Sequence, residues 1–134
     1  MRPKILIVDD HDDFRQAVRE YVEKSNLGVE IFEATTAAMA VAKAACVKPQ
    51  LILMDISLPG ANGFTALREI KGDHPDCDVI ILSMFDVESF REMAREVEAS
   101  DFIGKSEVYE RLIPSIQKCL NGHNGKTMKG MDAR

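Results

Sequence analysis

Short apolar segments alternate with amphipathic segments five times along the chain, and this alternation constrains the fold more than any other feature. Three of the apolar segments are continuous and rich in β-branched residues, which is typical of strands covered on both faces. The apolar segments occupy residues 5–8, 29–32, 51–54, 79–82 and 102–103. The pattern predicts an α/β fold with a five-stranded parallel sheet that is doubly wound, because the βα unit repeats five times.

The segments between the predicted strands carry apolar residues at the spacing of one helical face. In the first of them, Phe14, Val18 and Tyr21 belong to such a face, and Asp12 or Asp13 is a candidate for its N-cap. The second is rich in alanine and follows two threonines that can cap it. Each segment therefore predicts one amphipathic helix between consecutive strands.

Pro114 lies within the apolar pattern of the fifth predicted helix. An interior proline costs a helix about 3 kcal/mol or more, but the first four N–H groups of a helix have no intrahelical partner. We therefore expect this helix to begin late, near Glu110, so that Pro114 falls in or just after its first turn.

The length and composition indicate one folded domain followed by a short tail. The chain has 134 residues, of which 46% are hydrophobic, and this suffices for a core without disulfides or structural metals. From Asn121 onward the sequence contains three glycines, no aromatic residue and little periodicity. We expect a folded domain over residues 1–121 and a flexible tail over residues 122–134.

The net charge and the cysteine content indicate which cellular compartment and which kinds of binding partner to expect. The net charge of −5 argues against non-specific binding to nucleic acid or to an anionic membrane. Three separated cysteines, Cys46, Cys77 and Cys119, favour small inward-facing side chains in a reducing compartment over a disulfide framework. No apolar stretch approaches the ~18 residues of a membrane span, and the N-terminus is unlike a signal peptide. We expect a cytoplasmic protein without direct contact to nucleic acid or membrane.

Polar side chains follow four of the five predicted strands. The first strand is followed by Asp9 and Asp10, the third by Asp55, the fourth by Ser83 and the fifth, one residue later, by Lys105. The carboxyl ends of parallel strands meet at one edge of the sheet, which is where such sheets bind ligands. We therefore expect the three carboxylates and the amine to converge there, with Ser83 at the end of the fourth strand.

Three carboxylates at one edge repel each other, and one lysine does not balance them. Mg²⁺ is a hard cation that takes oxygen ligands. We expect Asp10 and Asp55 to bind Mg²⁺, with Asp9 in support and the backbone carbonyl of Ser57 as a further oxygen ligand. We interpret His11, beside the acidic pair, as a solvated loop histidine.

Taken in order, these segments resemble the receiver domain of two-component response regulators, and in particular its NarL/FixJ-like subset. Residues 5–10 (ILIVDD) resemble the first strand and acidic pair of that family, and residues 53–60 (LMDISLPG) resemble its phosphoacceptor strand and loop. Gly63, Ser83 and residues 102–105 (FIGK) stand at the matching positions further on. The resemblance covers about residues 4–121.

The resemblance implies a phosphorylation switch with a flavodoxin-like fold, and no enzyme that acts on free substrates. Asp55 would accept a phosphoryl group from a sensor histidine kinase or phosphotransfer protein, and the domain would catalyse its own phosphotransfer and dephosphorylation with Mg²⁺. Lys105 and the Ser83 hydroxyl would contact the phosphoryl group. Phe102 would be the aromatic switch residue that alters the surface of the fourth helix, fifth strand and fifth helix.

Three positions depart from the usual pattern of that family. Glu98 precedes Ala99 where the family usually has Gly-Ala, so Glu98 must end the fourth helix without the left-handed freedom of glycine. Ser106 follows the lysine where proline is usual, and Met84 is bulkier than the alanine or glycine of many receivers.

Two other protein classes use related architectures. A haloacid-dehalogenase-like phosphatase also has an aspartate nucleophile after a strand, but it needs a second aspartate two residues later, where this chain has Ser57. A flavodoxin-like flavin carrier needs a Ser/Thr/Gly-rich phosphate loop after the first strand. Asp9 and Asp10 would repel a flavin phosphate at that place, so both classes are less favoured.

The scope of the natural protein stays open at this point. NarL/FixJ-type regulators usually carry a helix-turn-helix output domain after the receiver, and the segment after residue 121 is too short for one. The chain is either a single-domain regulator or a receiver fragment of a larger DNA-binding transcriptional regulator. A single-domain receiver would signal, or self-associate, through the fourth helix, fifth strand and fifth helix. The expected outward side of the fourth helix has mixed charge, which fits either pairing or solvation: Glu88, Arg91, Glu92, Arg95 and Glu96.

Overall fold

A computed structural model describes residues 2–56, 63–85 and 88–124, with the backbone alone for residues 123 and 124. The strands are β1 (Lys4–Val8), β2 (Glu30–Ala34), β3 (Leu51–Asp55), β4 (Asp78–Ser83) and β5 (Asp101–Gly104). The helices are α1 (Asp12–Lys24), α2 (Ala37–Val47), α3 (Gly63–Asp73), α4 (Glu88–Glu96) and α5 (Val108–Asn124), and a 3₁₀ turn at Lys105–Glu107 precedes α5.

The five strands pair in parallel in the order β2-β1-β3-β4-β5. Apolar side chains on one face of the sheet pack with α1 and α5, and those on the other face pack with α2, α3 and α4. The predicted doubly wound, five-stranded parallel sheet is therefore confirmed. The strand order reverses at β1 and β3, and this switch point is where open α/β sheets bind ligands.

The first two helices begin in different ways. α1 begins at Asp12 with His11 at the N-cap position, and among the described residues no side chain caps it. Asp12 and Asp13 lie in the first helical turn, where their charge interacts favourably with the helix dipole, and neither is the N-cap. α2 is capped as predicted, because Thr36 Oγ1 accepts a hydrogen bond from the Met39 N–H at 3.1 Å.

Glu98 closes α4 in the left-handed region, with φ of 57°. Its N–H donates to the Arg95 carbonyl and the Ala99 N–H donates to the Ala94 carbonyl, both at 3.0 Å. These are the two hydrogen bonds of a Schellman motif. A side chain with a Cβ is strained in this region by roughly 1–2 kcal/mol, so the expectation for Glu98 is confirmed.

α5 begins earlier and extends further than the sequence predicts. It starts at Val108, so Pro114 is its seventh residue and lies in the second turn. The predicted start near Glu110 is wrong by two residues. Pro114 and Glu110 are both exposed, so water can reach the Glu110 carbonyl that the proline leaves without an N–H donor. The helix reaches Asn124 and so passes the expected domain end at residue 121, while residues 125–134 lie outside the described residues.

Two further features concern the cysteines and the character of the helices. Cys77 and Cys119 are buried as expected, whereas Cys46 is exposed. Burial raises the pKa of the Cys77 thiol to about 12, so this thiol stays protonated at neutral pH. None of the described helices has the length and apolar character needed to cross a membrane.

Candidate functional site

The carboxyl edge of the sheet brings together Asp9, Asp10, Asp55 and Lys105. Asp9 directly follows β1, Asp55 is the last residue of β3, and Lys105 directly follows β5. Because side chains alternate along a strand, these three residues point toward the side of the sheet covered by α1 and α5. Asp9 and Asp55 are 1% and 0% exposed, so two carboxylates are buried at this edge.

Lys105 lies between the two buried carboxylates. Its Nζ is 2.9 Å from Asp9 Oδ2 and 3.4 Å from Asp55 Oδ2. The ammonium also lies 4.5 Å from the centre of the Phe14 ring on α1, which is a cation–π distance. One cation is therefore shared by two carboxylates, and the lysine side chain is almost fully buried.

His11 contacts the acidic cluster, so its interpretation as a solvated loop residue is incomplete. Its Nδ1 lies 3.0 Å from Asp9 Oδ1, 3.3 Å from Asp10 Oδ1 and 3.9 Å from Asp55 Oδ2. Its backbone N–H donates to Asp9 Oδ1 at 2.8 Å. The ring is still 60% exposed, so His11 covers the site from the solvent side.

The donor set fits a hard divalent cation. Asp9, Asp10, His11 and Asp55 offer ligand atoms that lie within 4.8 Å of one another. Asp9 Oδ2 and Asp10 Oδ1 are buried oxygens that accept no hydrogen bond from the described residues, although Lys105 and His11 are close enough for ion pairing. Carboxylate oxygens are the ligands Mg²⁺ prefers, and a cation would offset the cost of burying them. Ser57, the expected carbonyl ligand, lies outside the described residues.

Gly63 determines how closely α3 approaches Asp55. The Gly63 N–H donates to the Ile56 carbonyl at 3.3 Å. A Cβ at Gly63 would lie 2.8 Å from Ile56 Cα and 3.0 Å from the Asp55 carbonyl oxygen. Any other residue would therefore push the backbone beside Asp55 out of place.

Ser83 ends β4 beside Asp55, since β3 and β4 pair Asp55 with Leu82. The Ser83 Oγ donates to the Phe85 carbonyl at 2.7 Å and accepts from the Phe85 N–H at 3.0 Å. This is a local side-chain turn of the kind that serine favours. The predicted switch residue thus lies one position beyond the β4 partner of Asp55, and its hydroxyl hydrogen is engaged by the Phe85 carbonyl.

Phe102 is buried on the side of the sheet covered by α2, α3 and α4. The Arg91 Cζ lies 4.9 Å from the centre of its ring, which is a cation–π contact. Arg91 is therefore half-buried over Phe102, and its predicted place on the outward side of α4 is wrong. On that outward side, Arg95 pairs with Glu88 at 2.6 Å.

A buried arginine supports the acidic pair from α1, and the sequence reasoning missed it. Arg15 donates through Nη1 to the Asp9 carbonyl at 2.9 Å, through Nε to Glu33 Oε1 at 2.6 Å and through Nη2 to Asp12 Oδ1 at 2.8 Å. Arg19, one turn later, donates to Glu33 Oε2 at 2.6 Å. Glu33 of β2 thus holds two arginines of α1.

The pKa values of Arg15, Arg19 and Glu33 reflect the hydrogen bonds between the two guanidinium groups and the carboxylate. Burial by itself raises the pKa of Glu33, but the hydrogen bonds from Arg15 and Arg19 outweigh it and leave that pKa below its ordinary value of 4.5. The hydrogen bond to Glu33 raises the pKa of Arg15 against the opposing effect of burial. The three side chains therefore remain charged at neutral pH.

Comparison with protein families and curated proteins points to one class. Residues 5–117 match the family model described as the response regulator receiver domain. The chain is 36% identical over 121 residues to the chemotaxis protein CheY of Bacillus subtilis (strain 168), a match that covers 90% of this chain and 100% of CheY. It is 31% identical over 116 residues to the transcriptional regulatory protein CssR of the same strain, covering 87% of this chain and 50% of CssR. The chain thus spans about half the length of several curated relatives.

Solved structures agree with that class. A crystal structure of a two-component response regulator of the LuxR family from Aurantimonas sp. SI85-9A1 superposes with a TM-score of 0.84 at 29% identity, covering 91% of this chain and 87% of that one. A CheY-like receiver domain from Methanospirillum hungatei JF-1 superposes with a TM-score of 0.87 at 24% identity, covering 94% and 99%. At the lower identity the likeness concerns the fold alone.

Proposed function

Since this chain belongs to the response regulator receiver domain family, we propose that it is a two-component phosphorylation switch that accepts a phosphoryl group on Asp55. The observation that carries the proposal is the convergence of Asp9, Asp10, Asp55 and Lys105 at the carboxyl edge of the sheet. Receivers of this family are response regulators and not conventional enzymes. The chemistry proposed here is accordingly a transfer onto the protein itself.

Asp55 is the proposed nucleophile. One of its carboxylate oxygens attacks the phosphorus of a donor phosphohistidine, a P–O bond forms, and the P–N bond breaks with its electron pair left on the imidazole nitrogen. Lys105, whose Nζ lies 3.4 Å from Asp55 Oδ2, would pair with the phosphoryl oxygens. Mg²⁺ held by Asp9, Asp10 and Asp55, with the Ser57 carbonyl, would supply further positive charge to those oxygens.

Ser83 and Phe102 are the proposed switch. To donate to a phosphoryl oxygen on Asp55, the Ser83 hydroxyl would leave the Phe85 carbonyl that it now contacts. Phe102 pairs in β5 with Ile81 of β4, two residues before Ser83. A change of hydrogen-bond partner at Ser83 would thus bias the packing of Phe102 under Arg91, and with it the surface formed by α4, β5 and α5.

The proposed partners and setting follow from the same class. A sensor histidine kinase or phosphotransfer protein would donate the phosphoryl group, in the cytoplasm. The match with CheY covers the whole of that protein. The match with CssR covers half of that transcriptional regulatory protein, so a single-domain receiver and a receiver within a longer regulator are both open. In both cases α4, β5 and α5 would carry the output, including any self-association.

Phosphorylation by a small donor tests the proposal. With acetyl phosphate and Mg²⁺, intact-mass measurement should show one added phosphoryl group, and Asp55→Asn should abolish it. Asp78→Asn is the matched control, because Asp78 begins β4 and so lies at the amino ends of the strands, away from Asp55. This variant should leave labelling unchanged. Chelation of Mg²⁺ should stop the reaction. Labelling of Asp55→Asn at the level of the unsubstituted protein would refute the assignment.

A further inference from the structure

We propose that Arg15 is a positioning residue for the acidic pair. By holding the backbone carbonyl of Asp9, Arg15 sets the orientation in which the Asp9 and Asp10 carboxylates bind Mg²⁺. The inference rests on the proposed function, in which this pair holds the metal. Arg15 acts through Asp9 and is not itself a proposed ligand.

Arg15 is placed to act as a rigid clamp. Its side chain is only 10% exposed, and its guanidinium donates to the loop after β1 at Asp9, to the first turn of α1 at Asp12 and to the edge strand β2 at Glu33. A planar fork with three separate acceptors has one orientation available. The guanidinium therefore ties three elements together directly behind the metal-binding edge.

The clamp controls the peptide group that joins Asp9 to Asp10. The Asp9 N–H donates to the Ala34 carbonyl of β2 at 3.1 Å, which fixes the peptide before Asp9. The Arg15 contact with the Asp9 carbonyl fixes the peptide after it. Since that second peptide carries the Asp10 nitrogen, its orientation determines where both carboxylates point. Without Arg15 the peptide would have one fewer restraint at the position that matters for metal binding.

A simple charge effect predicts the opposite sign. A cationic guanidinium near the site repels Mg²⁺, so loss of its charge would strengthen metal binding by Coulomb's law. A positioning role predicts that loss of the clamp weakens metal binding. Substitution by lysine keeps the charge and removes the fork, because an ammonium group cannot reproduce the planar donor geometry.

Arg19 provides the matched control. It donates to the same Glu33 carboxylate at 2.6 Å, lies one turn further along α1 and is 36% exposed. Among the interactions of the described residues, its donors go to Glu33 and Glu23 and none goes to Asp9. Arg19→Lys thus perturbs the same ion-pair group without touching the acidic pair.

The test is to titrate the full chain with Mg²⁺ and to obtain the Mg²⁺ affinity from the change in chemical shifts. Arg15→Lys should weaken Mg²⁺ binding by about tenfold or more, as loss of groups that orient metal ligands typically does. The Mg²⁺ affinity of Arg19→Lys should stay within about twofold of that of the unsubstituted protein, because Arg19 does not contact a residue that is proposed to bind Mg²⁺. With acetyl phosphate, Arg15→Lys should need more Mg²⁺ but regain nearly the original rate at saturation, because Asp55 and Lys105 are unchanged.

A second pair of variants covers the case in which Arg15→Lys fails to fold. Glu33→Gln keeps Arg15 and weakens its strongest support, so Mg²⁺ affinity should fall to a smaller extent. Glu30→Gln makes the same charge change on the same strand at an exposed position, and the fall should be absent there.

Two results would overturn the inference: a folded Arg15→Lys with the original Mg²⁺ affinity, or an equal loss in each variant and its control. Failure of the proposed function would look different, since the unsubstituted protein would then bind no Mg²⁺ or gain no phosphoryl group on Asp55.

Discussion

Lys105 Nζ lies closer to Asp9 Oδ2, at 2.9 Å, than to Asp55 Oδ2, at 3.4 Å. The lysine therefore compensates a proposed metal ligand as well as the proposed nucleophile. A divalent cation and the ammonium would compete for the same Asp9 carboxylate. Under the proposed function, Lys105 would thus restrain metal binding while it stabilises two buried charges.

Lys105→Ala should leave the fold intact, raise Mg²⁺ affinity about tenfold, or ~1.4 kcal/mol, and lower stability without metal by about 3 kcal/mol. The buried carboxylates lose their shared cation, which strengthens their attraction for Mg²⁺ and their mutual repulsion. Urea unfolding with Mg²⁺ and with a chelator measures both effects. Lys118→Ala, at an exposed position of α5, is the control. Unchanged Mg²⁺ affinity and unchanged stability in Lys105→Ala would show that the ion pairs of Lys105 with Asp9 and Asp55 contribute to neither.

Glu98→Gly should stabilise the domain by about 0.5–1 kcal/mol, because relief of the left-handed strain exceeds the added chain entropy of the unfolded state. The midpoint of urea unfolding should rise accordingly. Glu92→Gly, at an exposed position within α4, should instead destabilise by about 0.5–1 kcal/mol. A loss of stability at both positions would mean that Glu98 carries no strain.

The lowered pKa of Glu33 predicts a specific dependence of stability on pH. Folding favours the ionised carboxylate, so its stabilising contribution is present above the ordinary pKa of 4.5 and is lost as the pH falls through the lower folded-state value. Glu33→Gln should therefore lower stability at neutral pH and flatten the decline on acidification. Urea unfolding across the acidic range measures this, with Glu30→Gln as the control. Parallel curves for Glu33→Gln and the unsubstituted protein would contradict the pairing with Arg15 and Arg19.

Phosphorylation, or beryllofluoride as its mimic, should perturb the face formed by α4, β5 and α5. Chemical shifts around Ser83 and Phe102 should move, with a coupling of about 1–3 kcal/mol. Ser83→Ala should weaken that response, whereas Ser100→Ala, whose hydroxyl bonds Asp78 at the other end of β4, should preserve it. Sedimentation of both states reports any self-association. Shifts confined to α1 would rule out the proposed route.

Local patterns predicted the architecture and most of the site. Continuous apolar runs identified the strands, because a strand covered on both faces has few polar positions. The residues that follow those runs were then expected at one edge, and Asp9, Asp55 and Lys105 do lie within ion-pair distance there. The threonine cap of α2 and the left-handed Glu98 were also readable from neighbouring residues.

Other features depend on partners that are distant in the sequence. Arg15 shares the buried face of α1 with Val18 and Val22. This spacing was the one signal in the sequence that Arg15 faces inward. A buried guanidinium also needs a charged partner, and that partner, Glu33, belongs to β2. Arg91 likewise contacts a ring from another element, because Phe102 belongs to β5. The apolar spacing of α1 places Arg15 on the inward face, but a local pattern does not identify the charge or ring that an arginine contacts.

The sequence by itself therefore determined the succession of strands and helices along the chain and the sheet edge at which Asp9, Asp55 and Lys105 meet. Only the tertiary structure decided that Lys105 lies nearer to Asp9 than to Asp55, that His11 reaches three carboxylates and that Arg15 holds the Asp9 carbonyl. The physical reason is that backbone pattern depends on neighbours within a few residues. The pairing of buried charges depends on distances between elements that only packing sets.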